Sequence, residues 1–307
     1  MKTNSLRLIF LSALVLGVVA PSAHAQRQLG KKKGPTGKIY IAEANGDMEI
    51  QNADRIYTAR QATAFDAPGT IIETKAGAHS TMVYSNGTGM FVDESTRVEV
   101  NRFTQGPFRP DRSTQLDSPH EPSVSQSNVF VAHGAVGICT SQVVSGSSML
   151  YSTPQGSINI RGGKVSIESN PTESIIDLLE GDITVRQGDT DVGGQILHPG
   201  ERATIRTSTV GGEPLITISP IPAAALQVSD DRTEVACTAK KSVTFEVIAV
   251  KAAEGLDKPA EETGPAGSEA AGTDNGGTAD QEIVAQPTVP QNPPTNIVVS
   301  PDRLPGT

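Results

Sequence analysis

Residues 156–185 have the sequence GSINIRGGKVSIESNPTESIIDLLEGDITV, in which one five-residue pattern recurs: glycine, any residue, an apolar residue, any residue, an apolar residue. Over the whole chain the copies begin at Gly46, Gly134, Gly156, Gly163 and Gly181. Apolar side chains two residues apart lie on one face of a β-strand. Glycine allows the positive φ that a turn or bulge at the strand entrance requires. The pattern therefore predicts short strands that share one apolar face.

Further runs of alternating apolar and polar residues predict strands along the chain from residue 38 to residue 250. They are Lys38–Ile41, Thr70–Thr74, Ser80–Ser85, Gly89–Asp93, Arg97–Asn101, Asn128–Ala132, Ser148–Thr153, Ala203–Thr207, Leu215–Ser219 and Thr244–Val250. Asn86-Gly87 is typical of a two-residue hairpin turn. Ile175–Leu179 fits either a short helical face or a strand, and periodicity does not decide between them. Because the glycine patterns are unevenly spaced, a solenoid with a fixed repeat is not indicated.

Residues 105–127 interrupt this succession of predicted strands. The segment contains four prolines and has no apolar periodicity. Loops of this length in a compact domain are usually either functional or disordered. We therefore expect a long surface loop here, and the sequence leaves both alternatives open.

The first 25 residues have the features of a cleaved secretory signal. Lys2 and Arg7 supply the positive start, the uncharged run Leu8–Val19 follows, and an A-x-A site predicts cleavage between Ala25 and Gln26. A transmembrane anchor needs about 20 apolar residues, more than this run contains. We therefore expect an exported protein, periplasmic or at the cell surface, with no integral membrane span after cleavage.

Composition divides the rest of the chain. Residues 26–37 form a short basic arm, and residues 253–307 contain eight of the 21 prolines and no aromatic residue. Such a segment cannot bury enough apolar surface to offset its chain entropy. We expect a disordered tail, acidic at first (253–282) and then Pro-rich. Its role is left open between a spacer, a docking peptide and an untethered tail.

The charge is concentrated in this tail. The chain carries a net charge of −9, and residues 253–307 alone hold nine acidic and two basic residues. Residues 26–252 are therefore nearly balanced, at about −4. A nucleic-acid-binding domain would show a strong basic surplus. We expect no nucleic-acid partner.

The sequence contains no catalytic motif of the HExxH, GxSxG, P-loop or GxGxxG type. The histidines after the signal segment are far apart, and none has the helical or hairpin spacing of metal ligands. They are His79, His120, His133 and His198. We therefore expect no enzyme activity, no cofactor and no metal.

Cys139 and Cys237 are the only cysteines. In an oxidising compartment such a pair is a disulfide candidate, and closing a loop of this size contributes on the order of 4 kcal/mol. The bond would fix the segment 209–252, expected to be a β extension, to the preceding core. Two buried free thiols are the alternative.

The order of the turn motifs over residues 38–208 resembles the FecR-type periplasmic domain. The matching elements run from GTIIET and TMVYSNGTGMFVDESTRVEV through FVAHGAV and STPQGSINIRGGKVSI to LLEGDITV and ILHPGERATI. The residues that correspond to the family's turns are Thr74, Asn86, Gly87, Gly134, Thr153, Pro154, Arg161, Gly162, Glu180, Gly181, Pro199 and Gly200. A threonine usual after the R-G pair is replaced here by Gly163.

This resemblance implies an all-β domain, a rolled sheet or a short solenoid-like stack, that acts through contacts and not through catalysis. In the regulators that name the family, the domain receives a signal from an outer-membrane receptor and passes it through one membrane helix to a segment that binds a sigma factor. Only seven residues precede the apolar run here, so we expect a stand-alone exported member.

Two functional hypotheses follow. The first is a protein-binding or scaffold module of the cell envelope, which offers its strand edges and the 105–127 loop to an envelope protein. The second is a module that senses an envelope signal and regulates a membrane partner in a sigma-factor-type pathway. The sequence leaves the oligomeric state open.

Overall fold

The computed structural model describes residues 37–52, 55–108, 118–187, 194–207, 215–250 and 280–288. The predicted signal segment, with its cleavage position between Ala25 and Gln26, lies outside these ranges. Nearly all of the basic arm lies outside them too.

The described chain is mostly β-structure, as predicted, with one α-helix in addition. Its first strands are β1 (Lys38–Asn45), β2 (Met48–Asn52), β3 (Arg55–Thr58), β4 (Ala64–Asp66), β5 (Thr70–Thr74), β6 (His79–Tyr84), β7 (Gly89–Val92) and β8 (Arg97–Gln105). They are followed by β9 (Ser125–Thr140), β10 (Ser148–Ser152), β11 (Gly156–Ser169), β12 (Glu173–Gln187), β13 (Gln195–Leu197), β14 (Glu201–Arg206), β15 (Leu215–Pro220), α1 (Ala223–Lys240), β16 (Val243–Val250) and β17 (Asp280–Pro287).

Strands β1 to β15 form one open sheet that branches at β9. The second half of β9 pairs with β7, which continues through β6 and β1 to β4. The first half pairs with β8, which continues through β5 and β2 to β3. On its other side β9 pairs in parallel with β10 and antiparallel with β11. Beyond β11 the sheet continues through β12 to β13 and to β14 and β15. Antiparallel pairing predominates, as in a rolled sheet.

One apolar core serves both branches of the sheet. Its buried cluster joins Ile39 and Met82 of one branch with Ile50 and Ile72 of the other. Most of its members are isoleucine, valine and methionine, and its buried aromatic residues are Tyr84, Phe103 and Tyr151. The rings of Tyr84 and Phe103 meet edge to face, with their centroids 5.4 Å apart.

Strands β16 and β17 form a separate two-stranded ribbon, paired from Val243↔Pro287 to Val250↔Asp280. It contributes to a second, smaller cluster of buried residues. These are Tyr40, Val83, Phe108, Ala239, Val243, Phe245 and Ile283. The ribbon therefore covers the outward faces of β1 and β6, which would otherwise expose Tyr40 and Val83.

The predicted β extension 209–252 is wrong in its middle part, where residues 223–240 form α1. The buried residues of this helix are Ser229, Thr233, Ala236 and Ala239. Because they are small or polar, the sequence shows no apolar stripe of period 3.6 that would have predicted a helix. No helix in the described ranges combines the length and hydrophobicity needed to cross a membrane.

The prediction of a disordered tail is wrong for Asp280–Pro287, which form β17. The composition did not predict this strand because the residues around it are acidic and Pro-rich. The segment nevertheless contains a short alternation in which Ile283 is buried in the second, smaller cluster. Residues 253–279 and 289–307 lie outside the described ranges.

Three smaller predictions are refined. The turn after β6 has three residues, Ser85 to Gly87, because Thr88 is already hydrogen-bonded to Tyr84. The ambiguous run at 175–179 is a strand within β12. The predicted surface loop 105–127 is too long at both ends, since Phe108 and Glu121 are buried and β9 begins at Ser125.

Candidate functional site

Two pairs of motif residues, Arg161-Gly162 and Glu180-Gly181, lie side by side where β11 and β12 both bend. Gly163 is directly opposite Gly181, in a register that shifts around them. Their φ angles are +111° and +103°, in the region that favours glycine. A Cβ on Gly163 would overlap the carbonyl group of Glu180, and one on Gly181 would overlap the carbonyl of Gly162. The glycines are therefore required for close approach of two backbones.

A polar cleft of about 480 Å³ opens beside this bend. It lies between the end of β9, the bends of β11 and β12, and the C-terminal end of α1. The lining residues are Ser118, Pro119, Thr140, Ser141, Gln142, Arg161, Gly162, Gly163, Glu180, Gly181, Asp182 and Lys240. The sequence resemblance had singled out four of these residues, and the structure brings all four together.

The cleft presents charges of both signs. Arg161 and Lys240 supply cations, while Glu180 and Asp182 supply carboxylates. The Nζ of Lys240 donates to the Oγ of Ser141 at 2.5 Å. Such a surface suits a polar or charged group of either sign. Lys240 and Ser141 belong to no motif, so no sequence pattern predicted their part in the cleft.

The other motif residues have structural roles elsewhere in the fold. Thr74 Oγ1 donates to the carbonyl of Asp93 at 2.6 Å and accepts from the backbone N–H of Thr96 at 3.0 Å. A Cβ on Gly134 would overlap Thr96. Thr96 therefore joins two motif positions from different strands. Gly200 of the Pro199-Gly200 turn donates to the carbonyl of Leu178 at 2.7 Å.

A buried polar network ties the hairpin turn to the start of β9. Asn86 Nδ2 donates to Ser125 Oγ at 3.2 Å, and Asn86 Oδ1 accepts from the Thr88 N–H at 3.2 Å. Glu121, only 5% exposed, accepts from Ser125 Oγ at 2.6 Å and from the Val144 N–H at 2.9 Å. Sequence reasoning missed Glu121 because nothing distinguishes it from a solvated loop acid.

Helix α1 lies directly on the outer face of the sheet. A Cβ on Gly89 would overlap the backbone of Ala236, and one on Gly137 would overlap that of Arg232. Arg232 is held between Asp93, at 2.9 Å, and Glu168. Burial disfavours the charged guanidinium, but the hydrogen bonds and charges of Glu168 and Asp93 outweigh it and raise the pKa of Arg232.

The two cysteines also join α1 to the sheet. In the structure Cys139 of β9 and Cys237 of α1 form a disulfide, with their Cα atoms 5.1 Å apart. That separation lies within the usual range for disulfides. The helix is thus held by a covalent link and by ion pairs, since its buried side chains are too small to supply much apolar area.

One of the free edges of the large sheet is β15, with the sequence LITISP. Its inner side pairs with β14, from Arg206↔Leu215 to Glu201↔Pro220. Ile216 and Ile218 pack against the core, while Leu215 is 66% exposed. Within the described ranges no strand pairs with the outer side of β15. Edge strands are usually protected by charges, prolines or bulges; this one has no charged residue, and its one proline, Pro220, is its last residue.

Across the described ranges no three His, Cys, Asp or Glu side chains come together in a group that could hold a metal ion.

The structure has a distant likeness to two crystal structures of a candidate anti-sigma factor from Parabacteroides distasonis ATCC 8503, at 2.50 Å and 1.65 Å resolution. Each has a TM-score of 0.36 and 14% sequence identity, and the match covers 51% of this chain and 62% of that one. This chain therefore spans less than two thirds of those proteins. A similarity of this size assigns no function.

No protein-family model matches the sequence, and no curated protein is significantly similar to it. The FecR resemblance thus rests on the order of its motifs.

Proposed function

We propose that this chain is an exported, non-catalytic module that binds extended segments of envelope proteins by strand addition to β15. The observation that carries the proposal is the uncharged outer edge of β15, which ends a sheet of fifteen strands. An extended peptide at such an edge forms main-chain hydrogen bonds, and alternate side-chain contacts give selectivity. Export rests on the signal pattern of the first 25 residues.

Backbone hydrogen bonds to neighbouring elements hold β15 in an extended conformation. Every residue of β15 is in register with β14, which is itself paired with β12. The Ile221 N–H donates to the Gly200 carbonyl at 2.9 Å and fixes the end of the strand. A preorganised edge loses little conformational entropy on binding, so more of the interaction energy appears as affinity.

The second candidate function is envelope signalling in a sigma-factor-type pathway. It is favoured by one observation, the meeting of Arg161-Gly162 and Glu180-Gly181 at the rim of one polar cleft. Under this hypothesis the cleft contacts the membrane partner. Arg161→Glu would then abolish signalling and leave binding at β15 intact.

The test of the main proposal is site-specific photo-crosslinking in intact cells. A photoreactive residue at Thr217, on β15, should capture an envelope protein. The matched control is Thr204, which lies directly opposite Thr217 on β14, one strand inward. Capture should be lost when Ser219→Lys adds a charge to the edge. Equal capture from Thr217 and Thr204, or capture that survives Ser219→Lys, would overturn the proposal.

A further inference from the structure

The register of β15 with β14 determines which backbone groups of β15 are already paired. The Ile221 N–H donates to the carbonyl of Gly200, and this pair continues the β14–β15 register by one residue. In an antiparallel pair, hydrogen-bonded and non-hydrogen-bonded positions alternate along each strand. Counted back from Ile221, the alternate residues Ser219 and Thr217 therefore direct their N–H and C=O groups toward β14.

The residues between them direct their backbone groups outward. Ile216 and Ile218 each present an N–H and a C=O at the free edge, while Pro220 presents a C=O alone. Proline is tolerated in an edge strand where its missing N–H would face solvent, and the alternation gives that side for Pro220. The edge therefore offers two complete donor–acceptor positions, at Ile216 and Ile218, with one residue between them.

The same two isoleucines also carry the apolar side chains of the edge. Both are half-buried and pack against the core. Ile216 lies opposite Ile205, and Ile218 lies opposite Ala203. Because Ile205 and Ala203 are fully buried, the apolar rows of the core end at β15 with their last members partly exposed. A strand added at this edge would extend these rows, since directly opposite residues have side chains on the same face of a sheet.

We infer that the segment bound at β15 is an antiparallel strand in which two apolar residues, separated by one residue, lie opposite Ile216 and Ile218. Antiparallel addition continues the pairing of β12, β14 and β15. Each apolar residue exchanges two main-chain hydrogen bonds with the isoleucine opposite it, so neither is a proline. The inference rests on the proposed function of this edge and names the class of segment that the edge selects.

The residue between the two apolar positions is not selected by the edge. It lies opposite Thr217, whose side chain is exposed. Its N–H and C=O point away from β15, because hydrogen-bonded positions alternate in the added strand as well. The segment is therefore recognised by two side chains and four main-chain hydrogen bonds.

The test is a titration of purified, ¹⁵N-labelled mature protein with the peptide KSTVTVTSK, in which two valines flank one threonine. Amide hydrogen exchange is measured by NMR. We expect the amides of Ile216 and Ile218 to exchange quickly in the free protein and about tenfold more slowly when nine-tenths of the sites are occupied. The amide of Thr217 should exchange slowly in both states, since it is already paired with β14.

Three matched peptides test the selection. Methylation of both valine nitrogens removes the two donors that face β15 and should raise the Kd about tenfold. Methylation of the central threonine nitrogen, which faces away from β15, should leave the Kd unchanged. Threonine in place of both valines keeps the β-branched shape but loses the apolar contact, and should raise the Kd about fivefold.

No binding of KSTVTVTSK, equal Kd values for the two methylated peptides, or equal Kd values for the valine and threonine peptides would overturn the inference. Slower exchange at Thr217 instead of Ile216 and Ile218 would overturn it as well. The proposed function is decided separately, by capture at Thr217 in intact cells, because that capture requires no particular pattern in the segment. Failure of the peptides would therefore leave the proposed function standing.

Discussion

Asp177 of β12 accepts two hydrogen bonds from Arg202 of β14, at 2.6 Å to Nε and 2.7 Å to Nη2. It accepts a third from Ser229 Oγ of α1 at 2.7 Å. The side chains of Asp177 and Arg202 are only 3% and 16% exposed. The hydrogen bond to Asp177 is the main cause of the raised pKa of Arg202. One carboxylate thus joins two strands and the helix, and its replacement is informative.

Asp177→Asn should lower the free energy of unfolding by about 3 kcal/mol, because it leaves a largely buried guanidinium without its counter-charge. Urea denaturation would measure the change. Glu173→Gln is the matched control, since Glu173 pairs with Arg206 across the same two strands but Arg206 is 71% exposed. It should cost less than about 1 kcal/mol. Equal effects of the two variants would contradict this account.

Stability should fall at alkaline pH. Burial raises the pKa of both Tyr84 and Tyr151 above that of an unfolded tyrosine, which is near 10. The folded state then holds protons that the unfolded state releases. The contribution of these two tyrosines to stability is therefore fully present below about pH 10 and declines as the pH rises above it. Each tyrosine should contribute a loss of up to about 1.4 kcal/mol per pH unit. Denaturation from pH 9 to 11 would measure it.

Tyr151→Phe provides the check on this pH dependence. It removes one of the two phenols and should reduce the slope above pH 10. A slope that is the same in the variant and the wild type would show that burial of Tyr151 does not cause the loss.

Breaking the disulfide should destabilise the protein by on the order of 4 kcal/mol, because Cys139 and Cys237 close a loop with a sequence separation of 98. The measurement is unfolding with and without a dithiol reductant. In the double variant with both cysteines replaced by alanine, the reductant should have no effect. Two free thiols in the native protein would contradict the prediction.

Two motif glycines should respond differently to alanine. Gly181→Ala should cost about 3 kcal/mol, because it combines a positive φ with overlap of the Gly162 carbonyl. Gly200→Ala should cost only about 1 kcal/mol, since Gly200 has a φ of +88° but no atom lies within 4 Å of the position that a Cβ would take. Thermal unfolding of the two variants would compare them. A larger loss for Gly200→Ala would contradict the packing argument.

The sequence predicted the strands well because alternation follows directly from which face is buried. Each of the ten predicted alternating runs overlaps a strand, including Leu215–Ser219 at the edge. It could not predict α1, because close packing against Gly89 and Gly137 selects small buried side chains and so removes the apolar stripe. A helix that is held by ion pairs and one disulfide leaves no periodic signal.

The candidate sites were predictable only in part. The order of the turn motifs identified Arg161, Gly162, Glu180 and Gly181, but not that these residues line one cleft. Lys240 joins them only through the docking of α1, which depends on tertiary contacts. The open edge at β15 follows from the order of the strands in the sheet, in which β15 is the last strand beyond β14, and no local pattern records this order.

The long strand β9 belongs to both branches of the sheet, as its two halves pair with β8 and β7. Neither branch should therefore fold by itself, because separating the two branches would cut β9 into its two halves. The branches should melt together in one transition. An insertion near Gly134, between the two halves of β9, should therefore disrupt both branches at once.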